Sequence, residues 1–303
     1  MRILISGATG LVGSALSRVL QAADWEVHAL RRWPHPERQQ TGDMVWSPLT
    51  GEIETDRLDG LDAVVHLAGE NVAAGRWTRT RRAAIRDSRI DGTRFLSRAL
   101  ARCTRPPAVL VCASAVGYYG DSGEAWLDEV SPPGSDFLAR VAVAWENAAD
   151  AARDAGIRVV HLRFGVILSA SGGALARMLP IFRLGLGGRL GHGRQYMSWL
   201  SLPEAVSMIR FAISQAQLAG PVNAVAPEPV TNAFFTRTLA RVLSRPAVLP
   251  LPAWAARAAL GEMADALLLS GTRVRPTRLM ESGYNFLHPD LETALRALLG
   301  ETS

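Results

Sequence analysis

The chain has no lysine; all 33 positions counted as Lys or Arg are arginine. An arginine stays protonated, so Schiff-base chemistry, a P-loop lysine and a lysine general base are all excluded. Only two cysteines occur, Cys103 near a helix end and Cys112 in an apolar run. They read as reduced thiols of a cytoplasmic protein, not as a disulfide framework. No apolar run approaches the roughly 20 residues of a membrane span, and the N-terminus enters a strand directly, which leaves no room for a signal peptide. A cytoplasmic protein without a membrane partner is expected. His28, His35, His66, His161, His192 and His288 are scattered without ligand spacing, so no metal is expected. The net charge is +5. The arginines lie among acids rather than in a stripe with stacking aromatics, which argues against a nucleic-acid partner.

What is present is an α/β pattern. Apolar residues make up 48% of the 303 residues and charged residues 20%, as in a soluble globular chain long enough for one large α/β domain with an appended lobe, or for two domains. Arg2 to Ser6 is a short apolar run suited to a buried parallel strand. A glycine turn follows, and Leu11 to Ala23 then has helical spacing. Gly7, Gly10 and Gly13 are spaced GxxGxxG rather than GxGxxG. In this setting they allow the tight turn, the approach of a pyrophosphate and close helix–strand packing. The helix start offers free N–H groups to the phosphates. A dinucleotide site is expected here.

Trp25 to Leu30 reads as the second strand, with Arg31 and Arg32 at its carboxyl end and no acid there. Arginine at this position accommodates the 2′-phosphate of NADP, where an acid would bind the ribose of NAD; the alternative is two solvated arginines in a loop. Further strands are expected at 43–46, 63–67, 109–113 and 159–163. Helices are expected at 78–103 and 137–155, and Ser-Pro-Leu-Thr-Gly after the third strand reads as a turn. Past Phe164 the pattern gives a helix at 173–184, a glycine-dense turn to Gly193, a strand at 196–201, a helix at 203–215 and a strand at 222–225. Mostly helix with proline breaks follows. The expected fold is α/β, a Rossmann-like doubly wound parallel sheet with a smaller, mostly helical C-terminal substrate lobe. Residues 1–165 with about 203–226 would form the NADP-binding domain, and 166–202 with 227–303 the lobe. Ligands would lie at the carboxyl ends of the strands.

These segments resemble the extended short-chain dehydrogenase/reductase superfamily of nucleotide-sugar epimerases and dehydratases. The motifs are GATGLVG at 7–13, HLAG at 66–69, a serine after the fifth strand and Gly193-Arg194-Gln195 before a strand. LAGEN (67–71), SRIDGT (88–93), GYYG (117–120), FRLGLGG (182–188), GRQYMSW (193–199) and LGEMADALLLSG (260–271) are similar to an atypical epimerase-like branch with a C-terminal domain of unknown function. The likeness spans nearly the whole chain and implies NADP(H) binding. By it, Gly7, Thr9, Gly10, Leu11, Val12 and Gly13 match the phosphate turn, and Arg32, with Arg31 beside it, faces the 2′-phosphate. Leu67 and Ala68 lie under the adenosine ribose, and Val166 gives a backbone contact to the nicotinamide amide. Arg89 replaces a usual asparagine and either reaches the cofactor or is a helix-surface charge. The implied partner is a small-molecule, sugar-nucleotide-like substrate; a homodimer is one candidate assembly, and the sequence leaves the oligomeric state open.

The departure from the superfamily concerns its Tyr-x-x-x-Lys pair, in which tyrosine moves a proton and lysine lowers its pKa from about 10. Alignment on Glu146 puts Leu138 at the tyrosine position and Ala142 at the lysine position. Ser114 either polarises a substrate oxygen or ends a strand by bonding backbone. Tyr119, matching a tyrosine that faces substrate, and Tyr118 beside it are alternative proton donors, helped by Arg76 or Arg163, or are packing residues. Arg194 and Gln195 are candidate substrate grips. Glu70, Glu146 and His192 are further titratable candidates, and Trp77 and Trp199 are wall or core. Catalysis would fall to Ser114 and Tyr119 in an NADP(H)-dependent oxidoreductase or epimerase; the alternative is a non-catalytic NADP(H)-binding sensor or scaffold.

Overall fold

A computed structural model describes residues 1–32, 43–47, 50 and 52–300. His35 and part of the expected Ser-Pro-Leu-Thr-Gly turn lie outside the described residues. The first half of the chain gives β1 (Arg2–Ser6), α1 (Leu11–Gln21), β2 (Glu26–Arg32), β3 (Met44–Ser47), β4 (Glu52–Ile53), β5 (Ala63–His66), α2 (Arg79–Leu100), β6 (Val109–Ala115), β7 (Trp126–Leu127), α3 (Phe137–Asn147) and α4 (Asp150–Asp154). Next come β8 (Arg158–Phe164), β9 (Val166–Ser169), α5 (Gly173–Arg183), β10 (Tyr196–Met197), β11 (Trp199–Ser201), α6 (Leu202–Ser214) and β12 (Gly220–Ala224). The last part holds β13 (Val230–Thr231), α7 (Asn232–Val242), α8 (Ala253–Leu260), the short α9 (Glu262–Ala264), β14 (Arg273–Val274), α10 (Thr277–Glu281) and α11 (Leu291–Leu299).

The central sheet runs β12-β8-β6-β5-β1-β2-β3-β4. Its pairs are parallel except β3 with β4. Strand order reverses between β1 and β5, so a crevice opens at their carboxyl ends, where open α/β sheets bind ligands. Both faces are covered. Ile3 and Ile5 pack with Leu16 and Ile209 on one face, and Leu4 packs with Leu96 and Leu100 on the other; all are wholly buried or nearly so. Alternate residues of one strand thus serve opposite cores, each large side chain contributing about 1.5–3 kcal/mol. A third core gathers Phe182, Trp199, Phe235, Leu239 and Leu295 from the C-terminal half.

Two expected elements are divided. The helix at 137–155 breaks between α3 and α4, where Ala149 leaves the helical region (φ −90°, ψ 2°). Here the Ala152 N–H donates to Ser97 Oγ of α2 (2.8 Å), and small alanines let the two helices close together. The strand at 196–201 splits at Ser198, whose carbonyl accepts from Val166 N–H (2.8 Å) and whose hydroxyl donates to Thr272 O (2.8 Å). β10 therefore pairs with β13, while β11 pairs with β9. Gly165 permits this approach, since a Cβ there would lie 2.4 Å from Ser198 O.

Candidate active site at the sheet's carboxyl edge

The turn after β1 is shaped by steric need. Gly7 has φ +71°, and a Cβ on it would meet Ala68 N and Leu67 C at 2.9 Å. A Cβ on Gly13 would lie 2.2 Å from Gly7 O. Gly10 caps α1 with no side-chain hydrogen bond, and the first turn carries no acid, so the leading N–H groups and the positive dipole end face the crevice. Thr9 is exposed, and Leu11 and Val12 are half-buried. Leu11 packs under Gly172, where a Cβ would come within 3.0 Å of its Cδ1. These residues fit a dinucleotide's pyrophosphate. Ser6, unnoticed in the sequence, holds the floor of the crevice: its Oγ accepts from Leu67 N–H (3.2 Å) and Ala68 N–H (3.3 Å) and bonds His66 Nδ1 (2.6 Å).

At the end of β2 the two arginines separate. Arg31, expected beside the residue that faces a 2′-phosphate, ion-pairs with Asp43 and so serves as a strut between strands. Arg32 stays 65% exposed, with Glu70 at 3.8 Å. Arg89 lies under the loop after β5, donating to Glu70 O (2.9 Å) and Ile85 O (3.1 Å), with its guanidinium carbon 5.0 Å from the Trp145 ring centroid. Burial lowers its pKa to about 10 against the opposing charge of Glu70. It is not a solvated surface charge. Val166 gives its N–H to Ser198 O, which withdraws that group from any nicotinamide contact.

Ser114, Arg163 and Asn223 occupy one register row across β6, β8 and β12, so their side chains emerge side by side. Ser114 Oγ donates to Glu146 Oε1 on α3 (2.7 Å). Arg163 clasps the same carboxylate through Nε (2.8 Å) and Nη2 (2.9 Å) and donates Nη1 to the Tyr119 hydroxyl (2.9 Å). Tyr119 in turn donates to Asn223 Oδ1 (2.7 Å), and Asn223 N–H donates to Glu129 Oε1 (3.0 Å). Burial alone would lower the Arg163 pKa, but the bonds and charge of Glu146 carry it upward. Desolvation pushes Tyr119 up to about 12, with Arg163 opposing. Leu138 and Ala142 lie on α3, the helix that supplies Glu146.

Several expected roles change. Tyr119 is 4% exposed with its hydroxyl held by Arg163 and Asn223, so it is a poor proton donor to a substrate. Tyr118 lies under the Arg163 guanidinium, whose carbon is 3.4 Å from the ring centroid. Arg76 is engaged elsewhere, its guanidinium donating to Ala258 O and Ala259 O. Gln195 is turned inward, with Nε2 donating to Leu190 O (3.1 Å) and Leu268 O (3.0 Å); it ties loops together rather than gripping substrate. Arg194 is exposed, and its N–H donates to Nδ1 of the exposed His192 (3.0 Å). Trp199 is core, and Trp77 donates Nε1 to Val72 O (2.8 Å). Asn223 and Glu129 were missed, because nothing local ties them to residues about a hundred positions away. Among the described residues no group of three or more His, Cys, Asp or Glu is arranged to hold a metal.

A doubly wound parallel sheet with this glycine turn and crevice defines a Rossmann-type nucleotide-binding protein. The chain belongs to the NAD dependent epimerase/dehydratase family, whose model matches residues 3–225, and a domain of unknown function (DUF1731) matches residues 251–298. It is 46% identical over 294 residues to the epimerase family protein Mb2239 of Mycobacterium bovis, covering 97% of this chain and 96% of that one. The crystal structure of human epimerase family protein SDR39U1 with NADPH superposes with a TM-score of 0.88 at 34% identity, over 100% of both chains. A nucleoside-diphosphate sugar epimerase from Corynebacterium glutamicum gives a TM-score of 0.80 at 37% identity, over 99% of this chain and 58% of that one.

Proposed function

We propose that the protein is an NADP(H)-dependent, epimerase-like oxidoreductase acting on a small, sugar-nucleotide-like substrate. In this reading residues 1–165 with about 203–226 hold the nucleotide, and 166–202 with 227–303 cover the substrate. The observation that carries it is the exposed Arg32 beside the phosphate turn, at a strand end that bears no acid. The NADPH-bound human relative supports the same reading. The nicotinamide, when bound, would supply or accept hydride. The chain's own groups then have to hold oxygen and move a proton. Ser114 touches the substrate oxygen and polarises it, and the proton passes between that hydroxyl and Glu146, already 2.7 Å behind it. Arg163 acts as a positioning residue, fixing the carboxylate through two bonds. No lysine is required.

The test is a titration followed by an assay. NADPH is expected to bind at least tenfold more tightly than NADH, and Arg32→Ala to remove that margin, a change of about 1.4 kcal/mol. On a panel of carbonyl substrates, Ser114→Ala and Glu146→Gln are expected to cut turnover by about 10²–10⁴-fold, with NADPH affinity unchanged in Ser114→Ala. Equal affinity for the two nucleotides would sink the assignment. The second reading is a non-catalytic NADP(H)-binding sensor or scaffold, favoured by one feature: the hydroxyls of Ser114 and Tyr119 are both committed to buried partners. Tight NADPH binding without turnover on any substrate would select it.

A further inference from the structure

The loop that leaves β5 carries a carboxylate to the end of β2. Glu70 Oε1 lies 3.8 Å from Arg32 Nη2, and its Oε2 lies 3.1 Å from Nη1 of Arg81 in the first turn of α2. The backbone of Glu70 is pinned on both sides, its N–H donating to Ser88 Oγ (3.0 Å) and its carbonyl accepting from Arg89 (2.9 Å). The main chain is therefore fixed, while the side chain, 31% exposed, is free to turn about its own bonds.

The charges here do not balance. Arg32, Arg81 and Arg89 surround this one carboxylate, and among the described residues Glu70 is the only acid ion-paired to any of the three. The excess of positive charge is two, which matches the charge of about −1.5 to −2 on a phosphate monoester at neutral pH. The arginines are also short of acceptors. The Arg32 contact is longer than a hydrogen bond. Arg81 gives Nη1 to Glu70 and Nη2 to Asn71 O, but its Nε is buried without a hydrogen-bond partner among the described residues. A buried donor left unmade is costly.

We infer that Glu70 holds the seat of the nucleotide's 2′-phosphate, which displaces the carboxylate and takes both Arg32 and Arg81. Arg81 is then a second specificity-determining residue and Glu70 a built-in competitor; the inference rests on the NADP(H) reading above. The sheet places β1 between β5 and β2. A nucleotide seated on the turn after β1 therefore has the end of β2 on one side and the loop after β5 on the other. The carboxylate offers one oxygen to each guanidinium, whereas a phosphate has three and can meet arginine through two parallel bonds. A nucleotide without that phosphate leaves Glu70 where it is. With Arg32 removed, Glu70 keeps Arg81 to itself, so the preference is lost although Arg81 remains.

Calorimetric titration of the full chain with NADPH and with NADH, which differ only in the 2′-phosphate, tests this. The salt is held at about 0.15 M, where fields between exposed charges reach about 8 Å. Glu70→Gln is expected to tighten NADPH by about fivefold, the size of one close repulsion between charges in water, and to leave NADH within about twofold. Arg81→Met should weaken NADPH by about tenfold, as the loss of a charge-assisted bond does, again with NADH little changed. Retained NADH binding is the check on folding. Glu262→Gln unpairs the neighbouring Arg82 instead and should leave both affinities as they are, which separates displacement of Glu70 from a general loss of negative charge. A parent that binds the two nucleotides equally removes the NADP(H) reading itself, and the inference with it. Where the parent does prefer NADPH, four results overturn the inference alone. They are a Glu70→Gln variant that fails to tighten NADPH, one that loses NADH because the carboxylate holds the ribose hydroxyl, an Arg81→Met variant that binds NADPH like the parent, and a Glu262→Gln variant that gains as much as Glu70→Gln.

Discussion

Glu146 and Arg163 are nearly buried, with side-chain exposures of 10% and 3%. A pair out of water is held there by its geometry: two bonds between guanidinium and carboxylate, with Ser114 and Tyr119 taking up remaining donors and acceptors. Removing one partner strands the other. Arg163→Met is expected to cost about 3–5 kcal/mol, and the double change Arg163→Met with Glu146→Leu distinctly less; urea unfolding of the parent and the two variants measures both. Two buried histidines make a pH prediction. His66 and His161 stand in register on either side of Cys112 across β5, β6 and β8. Desolvation lowers both to about 4. The unfolded chain then binds more protons than the folded one below the ordinary value of 6.5. Stability is full above pH 6.5 and falls as the pH drops towards 4, by on the order of 3 kcal/mol for each ring. Urea midpoints at neutral and acid pH read this, and His161→Gln should remove about half of the slope.

At the scale of elements, the strand–turn–helix unit at the N-terminus is the part most open to a sequence reader, because each of its glycines has a local reason. Gly13→Ala would drive a methyl into Gly7 O. The start of α1 must then shift, and NADPH affinity is expected to fall at least tenfold, read by fluorescence titration. Other elements were legible only in outline. Helical spacing runs unbroken from 137 to 155, yet the chain kinks because Ser97 of another helix captures the Ala152 N–H. Periodicity sees one helix at a time. The same holds for Ser198, whose neighbours Val166, Thr272 and Val274 come from two other segments.

At the scale of the molecule, the C-terminal segment is tied to the sheet by a buried knot. Glu204 of α6 accepts from the Tyr284 hydroxyl (2.5 Å) and from His288 N–H (2.9 Å). Ser201 Oγ, which caps α6, also bonds His288 Nδ1 (2.8 Å). Burial and the Glu204 carboxylate both raise the Tyr284 pKa, so the phenol stays protonated as a donor. Tyr284→Phe leaves Glu204 short of a partner and should cost about 1–3 kcal/mol, seen as a lower urea midpoint. NADPH at a hundredfold excess over its dissociation constant should add about 2.7 kcal/mol to the parent, detectable as a raised melting temperature.

By itself the sequence determined the alternation of strands and helices, the glycine turn and the want of a lysine, since backbone sterics, side-chain periodicity and composition act over a few residues. Only the tertiary structure decided which of two adjacent arginines stays exposed, that Tyr119 turns inward, and that Ser114 meets Glu146 and Arg163. Those outcomes depend on desolvation and on partners between 12 and 104 residues apart, and no local pattern encodes such a pairing.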